Sequence, residues 1–197
     1  MAERIYPRRH RGTALIVGSA ACVFDDIRNA KVPDPVYIGI NEGVGVVPCL
    51  HLVTQHPEHI QKFLKLHREA HPGHPDPVVH CPAPTETEER LYGEWVDFWW
   101  NDARIPATSA AAGIVVTVGM GFSPVFLCGC PLNGGGYYRP VEDVPGDPRI
   151  GLREPGDDLL EAYQARFKAV FSRLTYRHVR SMSGFTREVL GGPAWLA

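Results

Sequence analysis

Long apolar runs are missing from this sequence. Nothing approaches the ~20 consecutive apolar residues that a membrane-spanning helix requires, so no contact with a bilayer core is expected. A dominant charge is missing too. Twenty Lys and Arg stand against 22 Asp and Glu, a net charge of −2 with histidine neutral, which excludes the global basic field used in nonspecific nucleic-acid binding. The one basic cluster is Arg4, Arg8, Arg9, His10 and Arg11. It reads as a solvated arm, with contact to a polyanion as the alternative. The N-terminus is charged where a signal peptide needs an apolar centre. The five cysteines, Cys22, Cys49, Cys81, Cys128 and Cys130, are an odd count. Together these favour reduced thiols and a cytoplasmic setting. Cys128 and Cys130 are expected on one strand, pointing to the same face as small buried hydrophobes.

Familiar catalytic and nucleotide signatures are equally absent. There is no G-x-G-x-x-G and no P-loop Gly-Lys-Ser/Thr, which argues against a dinucleotide or P-loop ATP site. There is no G-x-S-x-G elbow for nucleophilic catalysis. The nine histidines invite a metal reading, with His67 and His71 four apart and His74, His80 and Cys81 following. Their proline-rich spacing fits no zinc pattern and contains no H-E-x-x-H, so no metal is expected. The carboxylate pairs Asp25-Asp26, Glu88-Glu89 and Asp157-Asp158 sit in capping or loop contexts and read as solvated.

What is present is an alternation of short apolar runs and amphipathic segments. Hydrophobic residues make up 44% and charged residues 21% of the 197 positions, an ordinary balance for one globular domain with a real core. Strands are expected at 13–18, 36–41, 50–55, 78–81, 124–130 and 176–182. Pro57 suits the first turn of a helix whose inward face is Ile60, Phe63, Leu64 and His67. The segment 71–77 must break that helix. Thr85-Glu-Thr-Glu88 has the form of a capping box, opening a helix with Leu91, Trp95, Phe98 and Trp99 on one face. Trp95, Trp99 and Trp100 then lie in a single turn, mainly as core, with a homodimer contact as the other use of that surface. Asp157 or Asp158 caps a last long helix carrying Leu160, Tyr163, Phe167, Val170, Phe171 and Leu174. Ser183 caps a short one ending at Gly191-Gly192. The predicted class is α/β: three layers, a mainly parallel sheet with helices on both faces. Residues 1–197 form a single domain with a loop or lid at 131–156.

The most informative stretch is Thr108 to Tyr138. Thr108 and Ser109 stand at the mouth of a helix whose Ala110, Ala111, Ala112 and Gly113 permit close approach to the sheet, and whose free N–H groups favour a phosphate. A strand ending at Gly129 follows, then Gly134-Gly135-Gly136 and the phenols Tyr137 and Tyr138. Gly18-Ser19 after the first strand permits a sharp turn and supplies a hydroxyl for an anion or for helix capping. Asn41 after the second strand offers paired donor and acceptor groups for a base or ribose, or caps a helix. Gln55-His56 closes the third strand at the same edge, for capping before Pro57 or for ligand contact. His178, after the lid-like loop, is a candidate general base or a buried structural histidine.

In this order, Gly18-Ser19, Asn41, Ser109 with Gly113, and Leu127-Cys-Gly129-Cys130 resemble the layout of the Rossmann-like sialyltransferase-type glycosyltransferases. They also resemble the related family that includes MptE-like pterin diphosphokinases. In those families a Gly-Pro-Ser turn, a later Asn, a Ser-Ser/Thr-Gly helix start and a Leu-Leu-Gly-x-Asp strand end surround a nucleotide. Here Ala20 breaks the Pro-Ser order, and Cys130 stands where an Asp is common. The segment 180–191 is also similar to small phage-encoded proteins. The resemblance implies a nucleotide-sugar donor, CMP- or UDP-linked, with no metal. Gly18, Ser19, Asn41, Gln55, Ser109 and Gly129 would hold the nucleotide, and Tyr137 and Tyr138 the leaving phosphate, with His178 as base. The acceptor is unspecified; for a phage protein a hydroxymethylated DNA base would fit, making nucleic acid a partner. The alternatives are a nucleotide-binding protein without transferase activity and a pterin-type diphosphokinase, which requires Mg²⁺ held by carboxylates.

Overall fold

Ala14–Val17, four apolar residues in a row, form β1, and every one of them is buried. Such a run suits a strand covered on both faces. Six more strands follow in this computed structural model: β2 (Val36–Ile40), β3 (His51–Val53), β4 (Val78–Pro82), β5 (Phe98–Trp100), β6 (Val125–Cys128) and β7 (Val179–Ser181). The helices are α1 (Val23–Ala30), α2 (Ile60–Ala70), α3 (Glu86–Tyr92), α4 (Ser109–Gly119), α5 (Asp157–Phe171) and α6 (Gly184–Leu190). The structure describes residues 10–101, 108–133, 157–171 and 176–196.

Among the described residues the strands make one seven-stranded sheet in the order β5-β4-β3-β2-β1-β6-β7, and every pairing is parallel. The chain builds outward from β1 to β5, then returns to the other side of β1 with β6. The point between β1 and β6 is therefore a topological switch, where open α/β sheets bind ligands at the strand C-termini.

Alternation along the strands sorts the side chains into two faces. Leu15 and Val17 point to the α1 side with Val23, Phe126 and Cys128, and Leu52, Val79 and Cys81 meet Ile60, Phe63 and Leu64 of α2. Ala14, Ile16, Ile38, Ile40, Val53, Val125, Leu127 and Val179 point the other way, under α4, Phe167 and Phe171 of α5, and Leu190 of α6. Each fully buried Leu, Ile or Phe contributes about 1.5–3 kcal/mol relative to exposure. The three-layer, Rossmann-like α/β class read from the sequence is the one observed.

Several local readings are corrected. Phe98, Trp99 and Trp100 form a strand, not the continuation of a helix. The capping box at Thr85–Glu88 is present, but α3 ends at Tyr92. The spacing of Leu91, Trp95, Phe98 and Trp99 imitated a helical face, while three consecutive aromatics fit a pleated surface better. Asp97 settles the register, its carboxylate accepting the Val79 N–H at 2.8 Å. Trp99 and Trp100 consequently pack on opposite faces, Trp99 with the α2 cluster and Trp100 with the α4 cluster. The single aromatic surface expected for a dimer does not form. Cys128 and Cys130 likewise separate. The strand stops at Cys128, Gly129 takes φ +66°, and the two thiols join clusters on opposite faces. Among the described residues no helix is long and apolar enough to cross a membrane.

Candidate functional site

All seven strands end at one edge, and the turns there carry most of the residues singled out in the sequence. α4 points its N-terminus at this edge. Thr108 has extended backbone (φ −150°, ψ 162°) and its side chain accepts the Ala111 N–H at 3.2 Å, a standard cap. The Thr108 carbonyl accepts Ala112 N–H, leaving Ser109 and Ala110 with the outermost helix donors. The small residues are needed for the approach: a Cβ on Gly113 would lie 2.4 Å from Ile40 Cδ1.

Asn41 follows β2 with φ +51°, a left-handed conformation that Asn tolerates better than most residues. Its Nδ2 donates to Ser109 Oγ at 3.2 Å. Its Oδ1 is buried and has no hydrogen-bond partner. Reversing the amide would merely move the vacancy to the nitrogen, so one amide atom is left for something else either way. Gln55, after β3, donates from Nε2 to the Thr108 carbonyl at 2.8 Å. Asn41, Gln55, Thr108 and Ser109, drawn from β2, β3 and α4, thus form one cluster. Ser109 itself is only 8% exposed.

At the β1/β6 switch the two turns touch. Gly18 N–H donates to the Cys128 carbonyl at 2.8 Å and Ala20 N–H to the Gly129 carbonyl at 3.1 Å. A Cβ on Gly18 would lie 2.3 Å from Gly129 O and 2.5 Å from Cys130 Sγ. Gly18 is therefore demanded by backbone contact, and Gly129 by its φ of +66° and by Val23, whose Cβ would lie 2.6 Å from an added one. Ser19, half-buried, sits beside them. Cys130, standing where the resemblance expects Asp, is a buried thiol that burial pushes up to about 12, so it remains neutral.

The sequence reading missed Asp26. It took Asp25 and Asp26 together as solvated. Asp25 is exposed and pairs with Arg28 at 3.3 Å, but Asp26 is 6% exposed. Its Oδ2 accepts from Gly129 N–H at 2.8 Å, from Ser183 Oγ at 2.7 Å and from Cys22 Sγ at 3.6 Å. The signal was available: Val23, Asp26, Ile27 and Ala30 follow helical spacing, which places Asp26 on the inward face. Ser183 stands at the N-cap position of α6 without a side-chain cap bond, because its hydroxyl serves Asp26. Burial pushes the Cys22 thiol up.

His178 is not with the others. It lies in the turn before β7, and its carbonyl accepts the N–H of Val125, the first residue of β6. That is the N-terminal edge of the sheet, the opposite end from Asn41 and Ser109. The expectation of His178 as base at the binding edge is corrected on that ground: parallel strands put residues before and after a strand at opposite edges. Tyr137 and Tyr138, most of the 131–156 loop, and Arg4, Arg8 and Arg9 lie outside the described residues. His67 Nε2 accepts from Cys49 N–H at 3.4 Å, and His71 Nε2 donates to the Val44 carbonyl at 3.1 Å. Among the described residues no group of His, Cys, Asp and Glu is arranged to hold a metal ion. His56 makes no side-chain cap bond; its Nδ1 lies 3.2 Å from Glu58 Oε1.

No family model matches this chain, and no curated protein matches it. Solved structures of sialyltransferases do. The Campylobacter jejuni sialyltransferase CstII, in complex with the substrate analogue CMP-3FNeuAc, is similar at TM-score 0.61 and 10% identity, over 91% of this chain and 85% of that one. A CstII variant in complex with CMP gives TM-score 0.60 and 11% identity over the same shares. The monofunctional α-2,3-sialyltransferase Cst-I from Campylobacter jejuni gives TM-score 0.62 and 11% identity, over 98% of this chain and 83% of that one. At such identities the likeness establishes the fold: this chain shares the α/β architecture of those enzymes.

Proposed function

We propose that this protein is a nucleotide-sugar-dependent glycosyltransferase whose donor is CMP- or UDP-linked. The observation that carries the reading is Asn41, whose buried amide is half-used, on Ser109, at the mouth of α4. A buried polar atom without a partner is costly, and a nucleotide supplies the missing hydrogen bond. Support comes from the fold neighbours, which were captured with CMP and with a CMP-sugar analogue.

In this reading the donor lies across the C-terminal edge. Its phosphate sits on the Ser109 and Ala110 N–H groups, favoured by the helix dipole. Asn41 and Ser19 contact the nucleoside or phosphate. Gln55 braces the helix mouth through Thr108, and Gly18 and Gly129 let the turns close beneath the ligand. Tyr137 and Tyr138 bind the leaving phosphate from the loop. Positioning and charge stabilisation then carry most of the catalysis. A second reading, a nucleotide-binding protein without transferase activity, is favoured by one feature: His178 lies at the far edge of the sheet.

A thermal-shift and calorimetry panel of CMP, CDP, UDP, UDP-sugars, CMP-sugars, GDP and ATP, with and without EDTA, tests both. A pyrimidine nucleotide should raise the midpoint, the shift should survive EDTA, and the matching nucleotide-sugar should be hydrolysed slowly to free nucleotide. Binding without turnover favours the second reading. No shift with any nucleotide removes both.

A further inference from the structure

The proposed transfer needs a group to take the acceptor's proton, and His178 is at the wrong edge to do it. The other histidines are mostly committed. His51 and His80 bond to each other at 3.0 Å, His67 and His71 bond to the backbone at Cys49 and Val44, and His10 stacks on Phe122 at 4.4 Å. His59 packs near-perpendicular to the Phe63 ring, with centroids 6.1 Å apart. His56 is different: it leaves the C-terminal end of β3, and its side chain is 51% exposed. We infer that His56, oriented by Glu58, is the general base of the reaction proposed above; the inference rests on that reading.

Placement comes first. His56 directly follows Gln55, whose side chain is bonded to the Thr108 carbonyl at 2.8 Å. Consecutive Cα atoms are about 3.8 Å apart, so His56 stands one residue from the side chain that braces the α4 mouth, at the same edge of the sheet. The anomeric carbon of a donor is one bond from the phosphate oxygen held there. The backbone on either side is fixed. His56 N–H donates to Thr54 Oγ1 at 3.0 Å, Thr54 is fully buried, and Pro57 is buried at the first turn of the following helix.

The chemistry follows from the partner. Glu58 Oε1 lies 3.2 Å from His56 Nδ1, and a carboxylate can only accept. Nδ1 therefore carries the hydrogen and Nε2 the lone pair, the arrangement of an oriented base. His59 Nε2 lies 3.9 Å from the same oxygen, so Glu58 faces both rings. In the step, the acceptor hydroxyl gives its proton to His56 Nε2 as its oxygen bonds to the anomeric carbon. The bond from that carbon to the phosphate oxygen breaks, and its electron pair leaves with the nucleotide. Glu58 is the positioning residue, which stabilises the imidazolium that forms.

The test uses the full chain, CMP or UDP as binding probe, and hydrolysis of the corresponding nucleotide-sugar, with water as acceptor. His56→Asn keeps an N–H for Glu58 and removes the nitrogen that takes the proton. It should leave nucleotide affinity within about 2-fold and lower the hydrolysis kcat by about 10²–10⁴-fold. In Glu58→Ala, which removes the acceptor, ¹⁵N shifts of the His56 ring should show loss of the Nδ1–H tautomer, a signature that a merely structural residue would not move. Hydrolysis by His56→Asn at the wild-type rate, with binding intact, overturns the base and leaves the transferase reading standing. So does a His56→Asn variant whose defect lies in nucleotide affinity alone. Wild-type binding without turnover overturns base and transfer together, and no binding at all overturns the whole reading.

Discussion

Asp26 holds Gly129: the carboxylate on the first helix accepts the backbone N–H of a residue 103 positions away, at 2.8 Å. The same oxygen takes the Ser183 hydroxyl at 2.7 Å. One buried side chain therefore fixes the turns after β1, β6 and β7 with respect to one another. The Gly129 turn leads directly into the 131–156 loop, so the start of that loop is set by α1. Asp26→Ala leaves the Gly129 N–H and the Ser183 hydroxyl without their acceptor. It should cost about 2–4 kcal/mol, read from the urea midpoint. Asp26→Asn keeps an acceptor oxygen and should lose about half as much. Equal stability of the two variants would show that the hydrogen bonds are not what matters.

Gly18 was expected to serve a ligand, and the structure gives it a packing task. An added Cβ meets the Gly129 carbonyl and Cys130 Sγ, at 2.3 and 2.5 Å. Backbone cannot rotate out of the way as a side chain can. Gly18→Ala should cost about 1–3 kcal/mol, measured by denaturant unfolding, and weaken nucleotide binding only as far as the β1 and β6 turns shift. A stable Gly18→Ala with normal thermal midpoint would mean that the two turns separate freely.

Much of this was legible in the sequence, and the reasons differ by element. β1, β2 and β6 are unbroken apolar runs, which only a doubly covered strand explains. Thr108 and Ser109 before an alanine stretch announced a capped helix held close to the sheet. The position of each residue before or after its strand also assigns it an edge, once the sheet is known to be parallel. That rule separates His56 from His178, but it could not be applied to a segment read as a strand from 176. β5 was hidden because aromatics at 95, 98 and 99 satisfy a helical spacing as well as a strand. Asp26 was hidden by Asp25: adjacent like charges suggest solvent, while the helical phase puts only one of them outside. The alliance of Asn41, Gln55 and Ser109 spans 68 positions, and no local pattern states which turn meets which.

Asn41 provides a direct probe of the nucleotide edge. Its left-handed φ of +51° makes glycine the cleanest replacement, because glycine adopts that conformation without strain. Asn41→Gly removes the amide with little backbone penalty. Stability should change by less than about 1 kcal/mol, since one hydrogen bond to Ser109 is lost and one buried orphan oxygen disappears with it. Nucleotide affinity should fall about 10-fold or more, the loss of one buried hydrogen bond to a ligand. Calorimetric titration with CMP and UDP reads the effect. Unchanged affinity in a folded Asn41→Gly would place the nucleotide elsewhere.

His178→Ala tests the edge assignment from the other side. The His178 carbonyl, not its ring, holds Val125, so alanine preserves that bond. Nucleotide affinity and donor hydrolysis should stay within about 2-fold of wild type, a difference of about 0.4 kcal/mol. A loss of turnover alone would return the base to the end of the sheet where parallel geometry says no donor lies.

The paired histidines under α4 predict how stability responds to acid. Trp100 Nε1 donates to His80 Nδ1 at 3.0 Å, and an indole N–H can only donate. His80 Nδ1 therefore bears the lone pair and Nε2 the hydrogen. That hydrogen points to His51 Nδ1 at 3.0 Å, so both rings are neutral with defined tautomers. Burial disfavours the charged forms, pushing His51 down to about 4 and His80 down to about 3, with each also opposed by neighbouring histidine charge. In the unfolded chain both would titrate near 6.5. Below that pH the unfolded state binds more protons than the folded one, so stability must fall as pH falls. It should be undiminished above about 6.5 and decline from there toward 4, by on the order of 3 kcal/mol for each ring. Urea midpoints between pH 7.5 and 4.5 measure this. His51→Gln should flatten the slope, and a slope unchanged in that variant would move its origin to other groups.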